Sequence, residues 1–154
     1  MTTETSSATF VDSRSLRLAT FYVGDMLLGL EIDQVQEINR CLDVTTVPHA
    51  PNWVRGVINL RGDVVTVIDL RTVLGLERGT VTKDSRNLIV NLSGELVGLC
   101  VDRIADIITV AKDDVIPPPS NISVVDQKFF SGVATIEQDI VAVLNLNEAL
   151  ETSN

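Results

Sequence analysis

Short β-branched apolar runs, many of them alternating with polar residues and broken by Gly, Pro, Asn and Asp, cover most of this chain. That pattern predicts brief strands joined by tight turns rather than helices. The clearest stretch runs from Gly56 to Leu74, GVINLRGDVVTVIDLRTVL. Residues 57–60 and 64–68 are strand-like, and Arg61-Gly62-Asp63 lies between them, so the stretch reads as a hairpin with Arg61 at its tip. Strands are also predicted over 16–23, 26–32, 87–92, 95–101, 104–110 and the hairpin 132–144, with 44–47 extended. Asp33 is read as a helix N-cap, and 34–38 as a single helical turn or a strand extension. Pro51 opens a turn that Trp53 anchors on the core, and a short helix follows Asp69 until Gly75 ends it.

The hairpin occurs twice. Residues 56–70 align without a gap on 132–146, an offset of 76 from Gly56 to Gly132, and Leu74 falls on Leu150. Upstream, 28–38 align on 97–107 at an offset of 69, from Gly29 to Gly98, and Pro48 meets Pro117. Two ordered matches indicate an internal duplication. The repeats span about 16–76 and 87–150, with a polar linker between, and each offers about five strands. Five-residue strands punctuated in this way argue for small closed barrels, because closure removes open edges; the duplication implies two, in pseudo-twofold relation. The apolar skeleton persists between copies, yet Asn59-Leu60-Arg61-Gly62 becomes Thr135-Ile136-Glu137-Gln138. Polar tip residues that break the repeat are candidates for a function carried by one half only; the alternative for Arg61 is a solvated turn residue.

Composition narrows the classes. The 154 residues are 45% hydrophobic and 21% charged, enough for a sizeable core, but only 4% aromatic, so aliphatic packing must carry it. A net charge of −9 without a basic stripe disfavours nucleic acid and anionic membrane surfaces as partners. Residues 1–15 are polar and rich in Thr and Ser, which reads as a disordered tail. No run approaches the length of a membrane span, and a soluble, cytoplasmic protein is expected. Cys41 and Cys100 are too far apart in sequence to argue a disulfide framework or a metal site, and Cys100 reads as a small core residue.

Little in the chain suggests catalysis. His49 has no sequence neighbour that makes it a convincing base or ligand, and there is no phosphate-binding glycine loop or metal-ligand cluster. Asp33, Asp63, Asp69, Asp102 and Asp139 fall at turn or cap positions. No catalytic, cofactor-binding or metal-ligating residue is therefore expected. The competing reading is a small ligand-binding barrel or enzyme with its site near His49 and Trp53.

The runs VQEINR, TTVPHAPNWVRGVINLRGDVVTVIDLRTVLG and LVGLCVDRI closely resemble the CheW family, adaptors that couple bacterial chemoreceptors to the histidine kinase CheA. The similarity spans about 16–150; the family commonly has proline in the strand after NLRG, where this chain has Thr66. The resemblance implies an all-β fold of two five-stranded SH3-like barrels with short helices, and a non-catalytic scaffold beside membrane receptor arrays. Its partners would be the cytoplasmic tip of a chemoreceptor and the regulatory domain of CheA, with flagellar or other outputs such as pilus motility. Receptor-facing residues carry over onto Val35, Glu37, Arg55, Gly56 and Arg61, and kinase-facing ones onto Asp106, Ile107 and Ile108. Some members have an aromatic after the proline block that helps close receptor-kinase rings; here Asn121 and Ile122 stand in that place.

Overall fold

Glycine and residues in the left-handed region set the hairpins. In the computed structural model, which describes residues 14–41, 44–118 and 127–152, β1 (Ser15–Val23) turns into β2 (Met26–Glu31) through Gly24 at φ 60°. A 3₁₀ turn, Ile32–Gln34, leads into β3 (Val35–Arg40). Then come β4 (Val54–Leu60), β5 (Asp63–Asp69) and the one-turn helix Leu70–Val73. The second half supplies β6 (Arg86–Leu92), β7 (Glu95–Val101), β8 (Arg103–Ala111), β9 (Phe130–Ile136), β10 (Asp139–Leu144) and the helix Leu146–Thr152. Asp33 lies inside the 3₁₀ turn rather than capping it, so the strand extension is the alternative realised for the residues that follow.

The strands form two five-stranded sheets, β8-β1-β2-β10-β9 and β3-β6-β7-β5-β4. Shifting every strand by five positions turns one order into the other, and the parallel pairs β2·β10 and β7·β5 correspond. The all-β class and the five strands per half thus match the sequence pattern, and the two sheets share one strand order. The repeats do not close on themselves, however. The chain leaves the first sheet between β2 and β3 and returns between β7 and β8, so each sheet draws strands from both halves.

Each sheet wraps a small core of its own. Leu18, Val110, Ala134, Val141 and Val143 fill the first, and Cys41, Ile58, Leu60, Val65, Val67, Ile89 and Cys100 fill the second. A larger cluster draws on both sheets and cements them; it includes Phe21, Leu28, Leu30, Leu70, Leu88, Leu99 and Leu146. The six positions expected in the core or between barrels (Ile58, Leu60, Val65, Val67, Val141 and Val143) are all buried. Trp53 packs half-buried against the shared cluster, as an anchor of its loop should.

The polar tail expected over 1–15 falls mostly outside the described residues, although Ser15 already opens β1, and Asn121 and Ile122 also lie outside them. Among the described residues no helix is long and apolar enough to cross a membrane.

Candidate functional site

Edge strands β3 and β8 flank a groove between the two sheets. Both carry a bulge at the same repeat position. In β3 the register slips between Val35 and Glu37, and in β1·β8 it slips between Ala19, opposite Ile107, and Phe21, opposite Ile104. A bulge bends its strand and re-aims the side chains around it. Here both bulged segments line one apolar groove of about 350 Å³, formed by Ile32, Val35, Gln36, Glu37 and Ile38 with Ala19, Thr20, Ile104, Ala105 and Ile107. Thr20 supports the β8 side by donating its hydroxyl to the Asp106 carbonyl.

The duplication offset of 69 pairs Val35 with Ile104, Gln36 with Ala105 and Ile38 with Ile107. The groove is therefore built from two equivalent half-sites. Ile38 and Ile107 leave 44% and 56% of their surface open, unusual for large aliphatic residues, and Val35 is half-buried beside them.

The rims are not equivalent. Arg61 reaches across from the β4–β5 tip, and its Nη2 donates to Glu37 Oε2 in an ion pair, with the Arg61 side chain 73% exposed. The hydrogen bond from Arg61 is the main reason the Glu37 carboxyl titrates below its ordinary value, and the same contact raises Arg61. At the matching place on the other side stand Asp106 and Glu137, two acids, which line a neighbouring concavity of about 250 Å³ with Tyr22, Ile108 and Asp139. Strand alternation explains the split of the β8 candidates: Ile107 faces the groove, whereas Asp106 and Ile108 line the other concavity.

The turn itself explains the placement of Arg61 but not its charge. Arg61 and Gly62 have φ of 52° and 94°, the two-residue turn that suits hairpin twist, and the Asn59 side-chain carbonyl accepts the Gly62 N–H at 3.0 Å. Glu137 occupies the same left-handed region at 55°.

Arg55 and Gly56 lie away from the groove and are explained by packing. A Cβ on Gly56, at φ 151°, would sit 2.1 Å from the Thr45 carbonyl oxygen, in a bridge where Thr45 and Val57 exchange two backbone hydrogen bonds of 2.8 Å. Arg55 is largely buried, donates to the Gly79 carbonyl in the linker, and lies 4.0 Å from the buried Asp69 carboxylate. His49 is an exposed turn residue at φ 63°. Among the described residues no group of three or more His, Cys, Asp or Glu is placed to hold a metal ion.

Ile38, Ile104 and Ala105 are groove residues that the motif left out. Their signal was present in the repeat: each is the offset partner of a residue in the other half-site.

Comparisons with known proteins agree with this fold. The CheW-like domain family matches residues 17–154. The chemotaxis protein CheW of Rhizobium meliloti (strain 1021) is 34% identical over 143 residues, covering 93% of this chain and 92% of the relative. That of Helicobacter pylori is 32% identical over 136 residues, covering 88% and 82%. Among solved structures, the scaffolding protein TtCheW from Thermoanaerobacter tengcongensis superposes with a TM-score of 0.78 at 31% identity, covering 85% of this chain and 84% of that one.

Proposed function

The chain belongs to the CheW-like family and is a chemotaxis coupling adaptor, and from that premise we propose that its inter-barrel groove receives the cytoplasmic tip of a chemoreceptor. The observation that carries this is an open apolar trough edged by a preformed ion pair, Glu37 with Arg61. An amphipathic helix lays apolar side chains into such a trough and polar ones along its rim. Val35, Ile38 and Ile107 supply the floor, and Arg61, its side chain still mostly exposed, has guanidinium donors left for acceptors on the receptor. Arg55 and Gly56 act at one remove, by holding β4 and the linker in place.

The kinase's regulatory domain is assigned to the other face of β8, where Asp106 and Ile108 lie; Ile107, on the same strand, belongs to the groove. The protein then works as a non-catalytic bridge in the cytoplasm beside receptor arrays.

The test measures affinity for a receptor-tip helical hairpin and for the kinase's regulatory domain. Arg61→Ala is expected to weaken receptor binding about tenfold. Glu137→Ala, at the same turn position, leaves it unchanged, and Arg61→Lys, which keeps charge but not the planar fork, falls between. Equal and negligible losses for Arg61→Ala and Glu137→Ala, with unchanged melting curves, would return Arg61 to a solvated turn residue.

A further inference from the structure

Cys41 and Cys100, 59 residues apart in the chain, meet inside the second barrel with their sulfurs 2.9 Å apart. Cys41 follows the end of β3, Cys100 lies on β7, and both are buried, at 4% and 5% exposure. The strand between them, β6, contributes Asn87, which is fully buried with its Oδ1 2.9 Å from the Cys41 sulfur, so that Oδ1 and the Cys100 sulfur are alternative acceptors for the one Cys41 thiol proton. The first barrel shows that the fold does not require this trio. At the duplication offset Asn87, Cys41 and Cys100 correspond to Leu18, Val110 and Glu31, of which the first two are ordinary core aliphatics. Two thiols and a fully buried amide thus replace hydrocarbon and surface positions in one barrel only.

We propose that Cys41 and Cys100 form an oxidisable dithiol, closed to an intrachain disulfide by a small hydroperoxide. The sulfurs must approach only from 2.9 Å to the roughly 2.0 Å of a disulfide. Burial selects the reagent, since a hydroperoxide can enter where a peptide disulfide cannot. Cys100 is the attacking sulfur. The Cys41 thiol proton and the positive charge of Arg55 favour its thiolate against the cost of burial, whereas Cys41 itself is held protonated by the same contact and by burial. The thiolate attacks a peroxide oxygen and breaks the O–O bond, giving a Cys100 sulfenic acid and hydroxide, which the lost thiol proton converts to water. Cys41 sulfur then attacks Cys100 sulfur; the S–S bond forms, the S–O bond breaks, and the leaving hydroxide takes the Cys41 proton as a second water. Two thiols and one hydrogen peroxide become one disulfide and two waters. The bond would tie the end of β3, whose residues build one side of the groove, to β7.

The experiment treats the full chain with hydrogen peroxide under native conditions. It then counts thiols that react with N-ethylmaleimide after denaturation, and measures the intact mass on a non-reducing run. The expected result is loss of both reactive thiols in a monomer about 2 Da lighter, restored by dithiothreitol. Cys41→Ser and Cys100→Ala should instead each keep one thiol or stop at a sulfenic or sulfinic acid. The proposal is overturned if the wild-type chain keeps two thiols under peroxide that oxidises free dithiothreitol. It is equally overturned if only intermolecular disulfides form, or if the intrachain bond forms only in denaturant.

Discussion

Truncating the two open isoleucines of the groove, Ile38→Ala and Ile107→Ala, separates a docking surface from incidental exposure. Burying a whole isoleucine side chain contributes about 1.5–3 kcal/mol. Ile38 and Ile107 leave 44% and 56% of their surface uncovered. Covering that remainder with a partner contributes about 1 kcal/mol each, or about fivefold in affinity, and about thirtyfold when both are truncated. The free protein should hardly notice, because substitutions at open positions usually stay within about 0.5 kcal/mol. Val64 and Ile140, equally aliphatic and more exposed at 72% and 62%, sit just past the turns that begin β5 and β10 and do not line the groove. Titration calorimetry with a receptor-tip hairpin should rank Ile38→Ala and Ile107→Ala below wild type and leave Val64→Ala and Ile140→Ala unchanged. If the double groove variant binds within about twofold of wild type, or the Val64 and Ile140 variants lose as much, the groove assignment is wrong.

Three further outcomes follow from the geometry. The Glu37 carboxyl should titrate below its ordinary 4.5, and Arg61→Ala should bring it back up, as read by NMR; because the folded value is the lowered one, the pair's contribution to stability is complete above pH 4.5 and is lost as pH falls through the folded value. Gly56→Ala drives a Cβ into the Thr45 carbonyl at 2.1 Å and should cost about 3 kcal/mol, lowering the melting temperature by roughly 10 °C in calorimetry; a drop under about 2 °C would contradict it. Arg71 donates to Asp102 Oδ2 at 2.6 Å, which also accepts the Gly24 N–H at 2.7 Å, so the network joins the two sheets; as the pair is partly exposed, Arg71→Ala should cost about 1 kcal/mol in urea unfolding, less at high salt.

The hairpins were legible because their signals are local. The alternation around Arg61-Gly62 sets strand, turn and buried face within fifteen residues, and the four core positions read from it, Ile58, Leu60, Val65 and Val67, are buried, as are Val141 and Val143 in the repeated hairpin. Strand partners outside the hairpins were not legible. Alternation says which side of β3 faces a core, but nothing local says that β3 pairs with β6 while β8 pairs with β1, and so the exchange of strands between repeats stayed hidden. The same limit applies to the cysteines. Separation in sequence counted against a link, yet the chain's passage from β3 to the β6–β7 hairpin sets the two sulfurs together. At the groove, Val35 and Glu37 came from a motif, whereas Ile38 and Ile104 became visible only when the duplication offset was carried over residue by residue.

If the groove seats the receptor as proposed, the duplication also bears on how it would hold that partner in a single orientation. Two copies of a bulged edge strand, brought face to face by exchange, give an apolar floor that looks nearly the same from either end: Val35 with Ile104, Ile38 with Ile107. Apolar contacts alone would let a helix enter in two opposite senses with similar free energy. The rims remove that degeneracy. One side carries Glu37 neutralised by Arg61, with donors still open to a partner; the other has no such pair, since Asp106 turns into the neighbouring concavity and the matching turn carries Glu137 in place of an arginine. A partner with acceptors on one flank meets the Arg61 donors in one sense and finds none in the reverse. Glu137→Arg, which places a cation at the second turn as well, should therefore weaken the preference for one sense more than it changes total affinity. Paramagnetic labels at the two ends of a bound receptor hairpin would report this as mixed distances in place of a single set. A single unchanged set would show that something other than the rims fixes the orientation.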